Sequence, residues 1–298
     1  MRTSAFYARL PTEKNHPKSG RLDALSPAAI VSLMNREDLR VVRAVRREKA
    51  RIVRGSEMIA RALESGGRLF FVGAGTSGRL GVLEAAEMPP TFGTSALLIQ
   101  AIMAGGRGAV FRSREGAEDD AAAASKAVRS KVRRGDVVVG VAASGATPYV
   151  RAALSCAKRR GCSTLLVSSH PYSGIRDCDL TIAPKVGPEI LSGSTRLKSA
   201  TAAKMVLNML TLTALIRMGK VYGNLMVDLK PVSRKLVFRA VRLIRQLGGV
   251  PEKEARRLLQ EAKSAKTAIL MARRKISLPR ARKMLDAANG SLRRALEA

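Results

Sequence analysis

Leu69-Phe70-Phe71-Val72-Gly73-Ala74-Gly75-Thr76-Ser77-Gly78-Arg79-Leu80-Gly81 is the stretch around which the rest of the chain is arranged. Its first four residues are an apolar run that reads as a buried strand. Leu80 to Met88 reads as a helix, and Pro89-Pro90 predicts its end, because proline lacks the amide hydrogen a helix interior uses. A glycine-rich turn thus joins a strand to a helix N-terminus. Backbone N–H groups there face outward at the positive end of the helix dipole, where anions bind. Gly75 allows a ligand close to the main chain, and Thr76 and Ser77 add hydroxyl donors.

No Gly-Lys-Ser/Thr follows these glycines, so the turn is not a Walker loop. Gly73-x-Gly75-x-x-Gly78 has the dinucleotide-site spacing. Such a site needs a ribose-binding acid about 20 residues on, and none stands around Phe92 to Thr94. Either this is a tight turn with no ligand, or its hydroxyls hold a phosphate monoester. The hydroxyls favour the phosphate.

Outward from this stretch the pattern alternates. Ser26 caps a short helix opened by Pro27, and a long helix is predicted from Asp38 to Glu64, ended by Gly66-Gly67. Further strands are predicted at Ala96–Met103, Asp136–Ala142, Ser163–Ser168 and Leu180–Ala183, with helices between them. Alternation of this kind predicts an α/β fold, a doubly wound parallel sheet with helices on both faces. Ligands of such sheets bind beyond the strand carboxyl ends. Three hydroxyl-rich turns qualify: Thr76-Ser77, Ser144-Gly145-Ala146-Thr147 and Ser192-Gly193-Ser194-Thr195, the last opening a helix to about Met218. After Pro231 the chain is helical and basic, predicting a small three-helix domain. The organisation expected is an N-terminal arm over 1–50, the sheet domain over 51–230 and a helical, UBA-like domain over 231–298.

Composition narrows the function. With 298 residues and 46% hydrophobic content there is a core, and with 3% aromatics and no Trp that core is aliphatic. The N-terminus lacks the apolar segment of a signal peptide, and no apolar run suggests a membrane span. Cys156, Cys162 and Cys178 are odd in number and lack metal spacing, so a cytoplasmic protein with reduced thiols is expected. His16 and His170 are too few for a metal site, and no cofactor is expected. The net charge of +31 suggests a polyanion. Its lysines and arginines are scattered, however, and lack an aromatic stacking platform, so specific nucleic-acid binding is not expected.

At this point the residues resemble a family. Gly73 to Gly81 with Glu87 and Pro89-Pro90-Thr91-Phe92-Gly93 is similar to the N-acetylmuramic acid 6-phosphate etherases, which carry a sugar isomerase (SIS) domain. So are Gln100–Gly106, Glu115–Asp120, Ala142–Val150, Val186–Lys198 and Gly219–Asp228, with Thr12-Glu13-x-Asn15 near the start. Two departures stand out. Ala146 replaces an arginine of the family pattern, and Ala262-Lys263-Ser264-Ala265-Lys266 replaces an Ala-Gly-Gly-Asn turn.

The resemblance implies a carbon–oxygen lyase of cell-wall amino-sugar recycling. It releases D-lactate from N-acetylmuramic acid 6-phosphate by elimination and then hydration. Glu87 and Glu118 match the catalytic positions, Glu118 as base at C2 and Glu87 as acid on the leaving oxygen. For Glu87 to act as an acid at neutral pH, burial has to raise its pKa. Gly75, Thr76, Ser77, Arg79, Ser144, Gly145, Thr147, Ser194, Thr195 and Lys198 are the expected phosphosugar contacts, and Glu84 reads as structural. A homodimer with the pocket near the subunit interface is implied as well. The alternatives are a phosphosugar isomerase and a non-catalytic sugar-phosphate sensor.

Overall fold

The computed structural model describes residues 10–170 and 178–298, so part of the irregular N-terminal stretch lies outside it. Two 3₁₀ turns, Pro11–Glu13 and Leu22–Ala24, precede α1 (Pro27–Arg47) and α2 (Lys49–Glu64). Ser26 caps α1, its hydroxyl accepting from Ala29 N at 3.2 Å. The long helix predicted from Asp38 to Glu64 is therefore two helices. The chain turns at Glu48, whose buried carboxylate accepts from the Ala183 amide at 3.3 Å. Apolar spacing continues across that junction, which is why periodicity alone missed it.

The core is a five-stranded parallel sheet in the order β2-β1-β3-β4-β5. The strands are β1 (Leu69–Gly73), β2 (Ile99–Met103), β3 (Val137–Val141), β4 (Ser163–Val167) and β5 (Leu180–Ile182). Every residue of β1 and β3 is buried, as in a sheet covered on both faces. After β1 the chain steps outward to β2, then crosses back to β3, so the strand order reverses between β1 and β3. Such a switch point is where doubly wound sheets open a crevice. In register, Gly73 stands opposite Met103 on one side and Val141 on the other. The turns after β1, β2 and β3 thus leave the sheet at one level. On one face Phe70, Val72, Val138 and Leu166 pack with Val150 and Leu154 of α6 (Pro148–Arg159) and Val128 of α5 (Ala121–Lys131).

The helix after the glycine turn, α3, runs from Gly75 to Phe92 and contains both Pro89 and Pro90. Proline's φ suits a helix, and the loss is two amide donors near the end of the helix. The Pro89 carbonyl still accepts from Gly93 N at 3.0 Å. Termination falls to Gly93, whose φ of +64° ends the helix in the left-handed region. Between β2 and α5 lies a short helix, α4 (Gly108–Phe111), that the sequence did not suggest.

Contacts divide the chain into two compact units, residues 1–85 with 97–211, and 86–96 with 212–298. The division falls inside α3 and inside α7 (Lys198–Arg217), and the second unit starts well before the expected boundary at 231. By length and composition α7 could cross a membrane, contrary to the sequence expectation, yet half of that stretch is buried within the protein.

The second unit holds five helices after residue 231 rather than three: α8 (Arg234–Gly248), α9 (Glu252–Ala262), α10 (Ala265–Arg274), α11 (Leu278–Ala287) and α12 (Leu292–Glu297). Val241, Ile244, Leu258, Ile269, Leu270 and Leu292 form its core, with Val227 and Leu229. Within this unit Gly93 lies against Asp228 so closely that a Cβ would sit 2.2 Å from the Asp228 carbonyl oxygen. The divergent 262–266 segment still makes a turn, with Ser264 accepting from Thr267 N at 3.3 Å. Lys266 is buried, and its amine lies 2.6 Å from both the Asp228 carboxylate and the Gly290 carbonyl.

Candidate active site

The glycine turn is tight for a physical reason. A Cβ on Gly73 would come within 2.6 Å of Gly78 N, and one on Gly78 within 2.6 Å of the Gly73 carbonyl oxygen. Gly75 then opens α3 with φ +52°. Thr76 and Ser77 are half-buried on its first turn, and their hydroxyls have no hydrogen-bond partner among the described residues. Arg79 behaves differently. It donates from Nε to the Val110 carbonyl at 2.8 Å and from Nη2 to that of Ala109 at 2.9 Å. Its placement pins α4 beside the turn.

On the neighbouring strand, β3 ends in the second hydroxyl turn. Ser144 Oγ accepts from Ala146 N at 3.1 Å, and Gly145 adopts φ +68°. Pro148 occupies the first turn of α6, and the Thr147 hydroxyl does not cap that helix. Ala146, which replaces the family arginine, is buried, so a packed methyl stands there in place of a cation.

The third turn is braced from outside the sheet. Gly193 N donates to the Thr12 carbonyl at 3.0 Å, and Ser192 Oγ bonds Asn15 Oδ1 at 3.0 Å. Ser194 and Thr195 keep unpartnered hydroxyls among the described residues. The positive end of α7, however, is already filled. The Glu189 carboxylate accepts from Lys198 N at 3.0 Å and from Ser199 N at 2.9 Å. Lys198, expected as a phosphosugar contact, is engaged within the protein: its buried amine lies 2.7 Å from Glu37 Oε2, and His16 Nε2 approaches the same oxygen at 3.1 Å. An amine held in a buried ion pair is not available to a phosphate.

Glu118 lies in the loop between α4 and α5, past the end of β2. Its backbone carbonyl accepts from Tyr149 N, in the first turn of α6, at 2.9 Å. That bond ties it to the second hydroxyl turn. The same loop and the glycine turn enclose a cavity of about 110 Å³, lined among others by Gly75, Arg79, Arg114, Glu115 and Glu118. Partial burial, then the negative charges of Asp119 and Glu115, hold the Glu118 carboxyl above the usual carboxylate range. The side chain still reaches solvent at the cavity mouth, so water moderates that push. Capping of α5 falls to Asp120, which accepts from Ala123 N at 2.8 Å. Glu118 is thus free of the helix-start role that an Glu-Asp-Asp run suggests.

Glu87 is exposed on α3, in the part of that helix that belongs to the second unit. The burial expected of a general acid is not found in the single chain. Glu84 is structural as expected, bonded at 2.5 Å to both Thr211 Oγ1 and Asn208 Nδ2. Sequence reasoning passed over Arg114 and Glu115, although the glycines at 105, 106 and 108 signalled a crowded turn.

Residues 51–158 match the model of the glucokinase regulatory protein N-terminal SIS domain. An N-acetylmuramic acid 6-phosphate etherase of Symbiobacterium thermophilum is 51% identical over 85% of each chain. One of Salinibacter ruber is 47% identical over 97% of this chain and 94% of its own. A phosphoheptose isomerase of Francisella tularensis shares the fold of the sheet domain, with TM-score 0.50 at 14% identity over 64% of this chain and 98% of its own. Full-length identity at this level, together with the glycine turn and the loop carrying Glu118, places the chain in the N-acetylmuramic acid 6-phosphate etherase family.

Proposed function

We propose that the chain cleaves the D-lactyl ether of N-acetylmuramic acid 6-phosphate, giving N-acetylglucosamine 6-phosphate and D-lactate. An alkoxide leaves poorly, but opening of the sugar ring makes the C2 proton acidic, because C2 is then α to the C1 aldehyde. Glu118 takes that proton. The electron pair forms the C2–C3 double bond as the C3–O bond breaks, and Glu87 protonates the departing lactate oxygen. Water then adds at C3, giving its proton to Glu87, while Glu118 returns a proton to C2. Each acid–base step is worth roughly 10²–10⁴-fold.

The observation that supports this most is the cavity at Glu118, where burial and two carboxylates make a stronger base than a solvated glutamate. The open hydroxyls of Thr76 and Ser77, at the start of α3 after β1, which pairs with the β3 strand that leads into the Ser144–Thr147 turn, suit the 6-phosphate, with Ser194 and Thr195 proposed alongside them. A homodimer is part of the reading. Val31, Leu39 and Val42 on α1, and Met209, Leu212 and Ile216 on α7, are large apolar side chains left exposed. The buried reduced thiols of Cys156 and Cys162 fit a cytoplasmic protein.

Deuterium exchange at C2 tests the assignment. Glu118→Gln should lose both lactate release and exchange. Glu87→Gln should lose lactate release but retain exchange, because the first deprotonation does not need it. The reverse pattern would exchange the roles, and full activity in either variant would remove that residue from the mechanism. A phosphosugar isomerase would exchange the C2 proton without releasing lactate.

A further inference from the structure

The proposed substrate carries two anions, the 6-phosphate and the lactyl carboxylate, and the hydroxyl turns account for one. A carboxylate entering a cavity sheds water and needs a cation within it. Two guanidinium groups line the cavity at Glu118, those of Arg79 and Arg114. Arg79 is held by the carbonyls of Ala109 and Val110. The Arg114 guanidinium has no hydrogen bond or ion pair among the described residues.

The Arg114 side chain is nevertheless seated. A Cβ on Gly105 would lie 3.0 Å from its Cδ, and one on Gly108 would lie 3.1 Å from its Nη2 and 3.6 Å from its Cζ. The stem therefore crosses Gly105 and the guanidinium rests on Gly108, where any larger residue would crowd it. The bed lies on the turn after β2 that Arg79 braces, so the fork, although exposed, is positioned by that turn. Glu115 and Glu118 line the same cavity without forming an ion pair to it.

We propose that Arg114, seated on Gly105 and Gly108 and lining the Glu118 cavity, binds the lactyl carboxylate of the substrate. This rests on the etherase reading. The carboxylate is attached to the carbon that bears the ether oxygen. A bidentate grip on it orients the C3–O bond relative to the base and selects sugars that carry the lactyl group.

The test compares equilibrium binding of N-acetylmuramic acid 6-phosphate and of N-acetylglucosamine 6-phosphate, which lacks the carboxylate. It uses calorimetry on the non-turning-over Glu118→Gln chain, with and without Arg114→Gln. Loss of Arg114 should weaken the lactyl sugar about 10- to 100-fold, the range for hydrogen bonds to charged groups, and leave the other within about 2-fold. Arg114→Lys should restore part of the loss, and Gly108→Ala, which disturbs the seat and not the charge, should reproduce part of it. Equal weakening of both sugars would assign Arg114 to the phosphate and overturn the proposal, as would no weakening of either. A wild-type chain that releases no D-lactate would sink the etherase reading, while the binding comparison would still decide the role of Arg114.

Discussion

Replacing Lys198 with methionine separates a structural lysine from a ligand-binding one. The Lys198 amine and the Glu37 carboxylate are 2.7 Å apart and both side chains are only 3% exposed. At an effective dielectric of about 20, that separation corresponds to roughly 6 kcal/mol of gross attraction. Most of it offsets the cost of burying both charges. Removing one partner strands the other, which costs about 3–5 kcal/mol. His16 and Arg40, at 3.1 Å each from the Glu37 oxygens, recover part of this, so the lower end is expected. For a chain of this size, 3 kcal/mol corresponds to a fall of roughly 6–12 °C in melting temperature. The chain has no Trp, so unfolding is followed by far-ultraviolet circular dichroism. Glu37→Gln in the same chain should regain at least half of the loss, because no buried charge is then left alone. Burial alone would raise the Glu37 carboxyl, but Lys198 and His16 outweigh it and hold it below the usual range. Its contribution is therefore present above the ordinary carboxylate pKa and is lost as pH falls through the depressed value. In Lys198→Met that acid-side loss should begin at higher pH. A cost below about 1 kcal/mol, the worth of an exposed pair, would refute the reasoning. Unchanged stability with collapsed phosphosugar binding would return Lys198 to the ligand.

The raised pKa of Glu118 predicts that kcat/KM falls with acidification at a pH above the usual glutamate range, because a base must be deprotonated; Glu115→Gln should move that limb to lower pH, and an unmoved limb would contradict the assignment. Burial, together with the nearby Asp136 charge, pushes the Cys162 thiol up to about 11, so iodoacetamide at pH 8 should label it in urea and spare it in the folded chain. Gly93→Ala combines a left-handed backbone with a Cβ 2.2 Å from the Asp228 carbonyl oxygen, and a loss of at least about 2 kcal/mol is expected in a thermal melt; an unchanged melt would show that the contact yields freely.

The fold was readable because its signals are local. Leu69–Val72 and Val137–Val141 are apolar runs too short for helices, and Gly73, Gly75 and Gly78 mark a turn that only glycine can make. The hydroxyl turns were visible for the same reason. The errors have other causes. The break at Glu48 depends on a carboxylate reaching Ala183, 135 residues away. The passage of α3 through Pro89-Pro90 depends on a helix end closed by the left-handed backbone of nearby Gly93, a conformation the residue type permits but does not require.

Residue type and spacing by themselves determined the parallel α/β sheet and its glycine-rich, hydroxyl-bearing turns, because each is a property of a few consecutive residues; Glu87 and Glu118 stood out only through the family resemblance. Only the tertiary structure decided what each charge is free to do. Lys198 and Arg79 read as ligand contacts, yet Glu37 and the carbonyls of Ala109 and Val110 occupy them. Arg114 carried no signal of its own among the 54 lysines and arginines, yet two glycines seat its side chain beside Glu118, with no partner for the guanidinium among the described residues. A side chain's availability depends on burial and on partners from distant segments, and those exist only once the chain has folded.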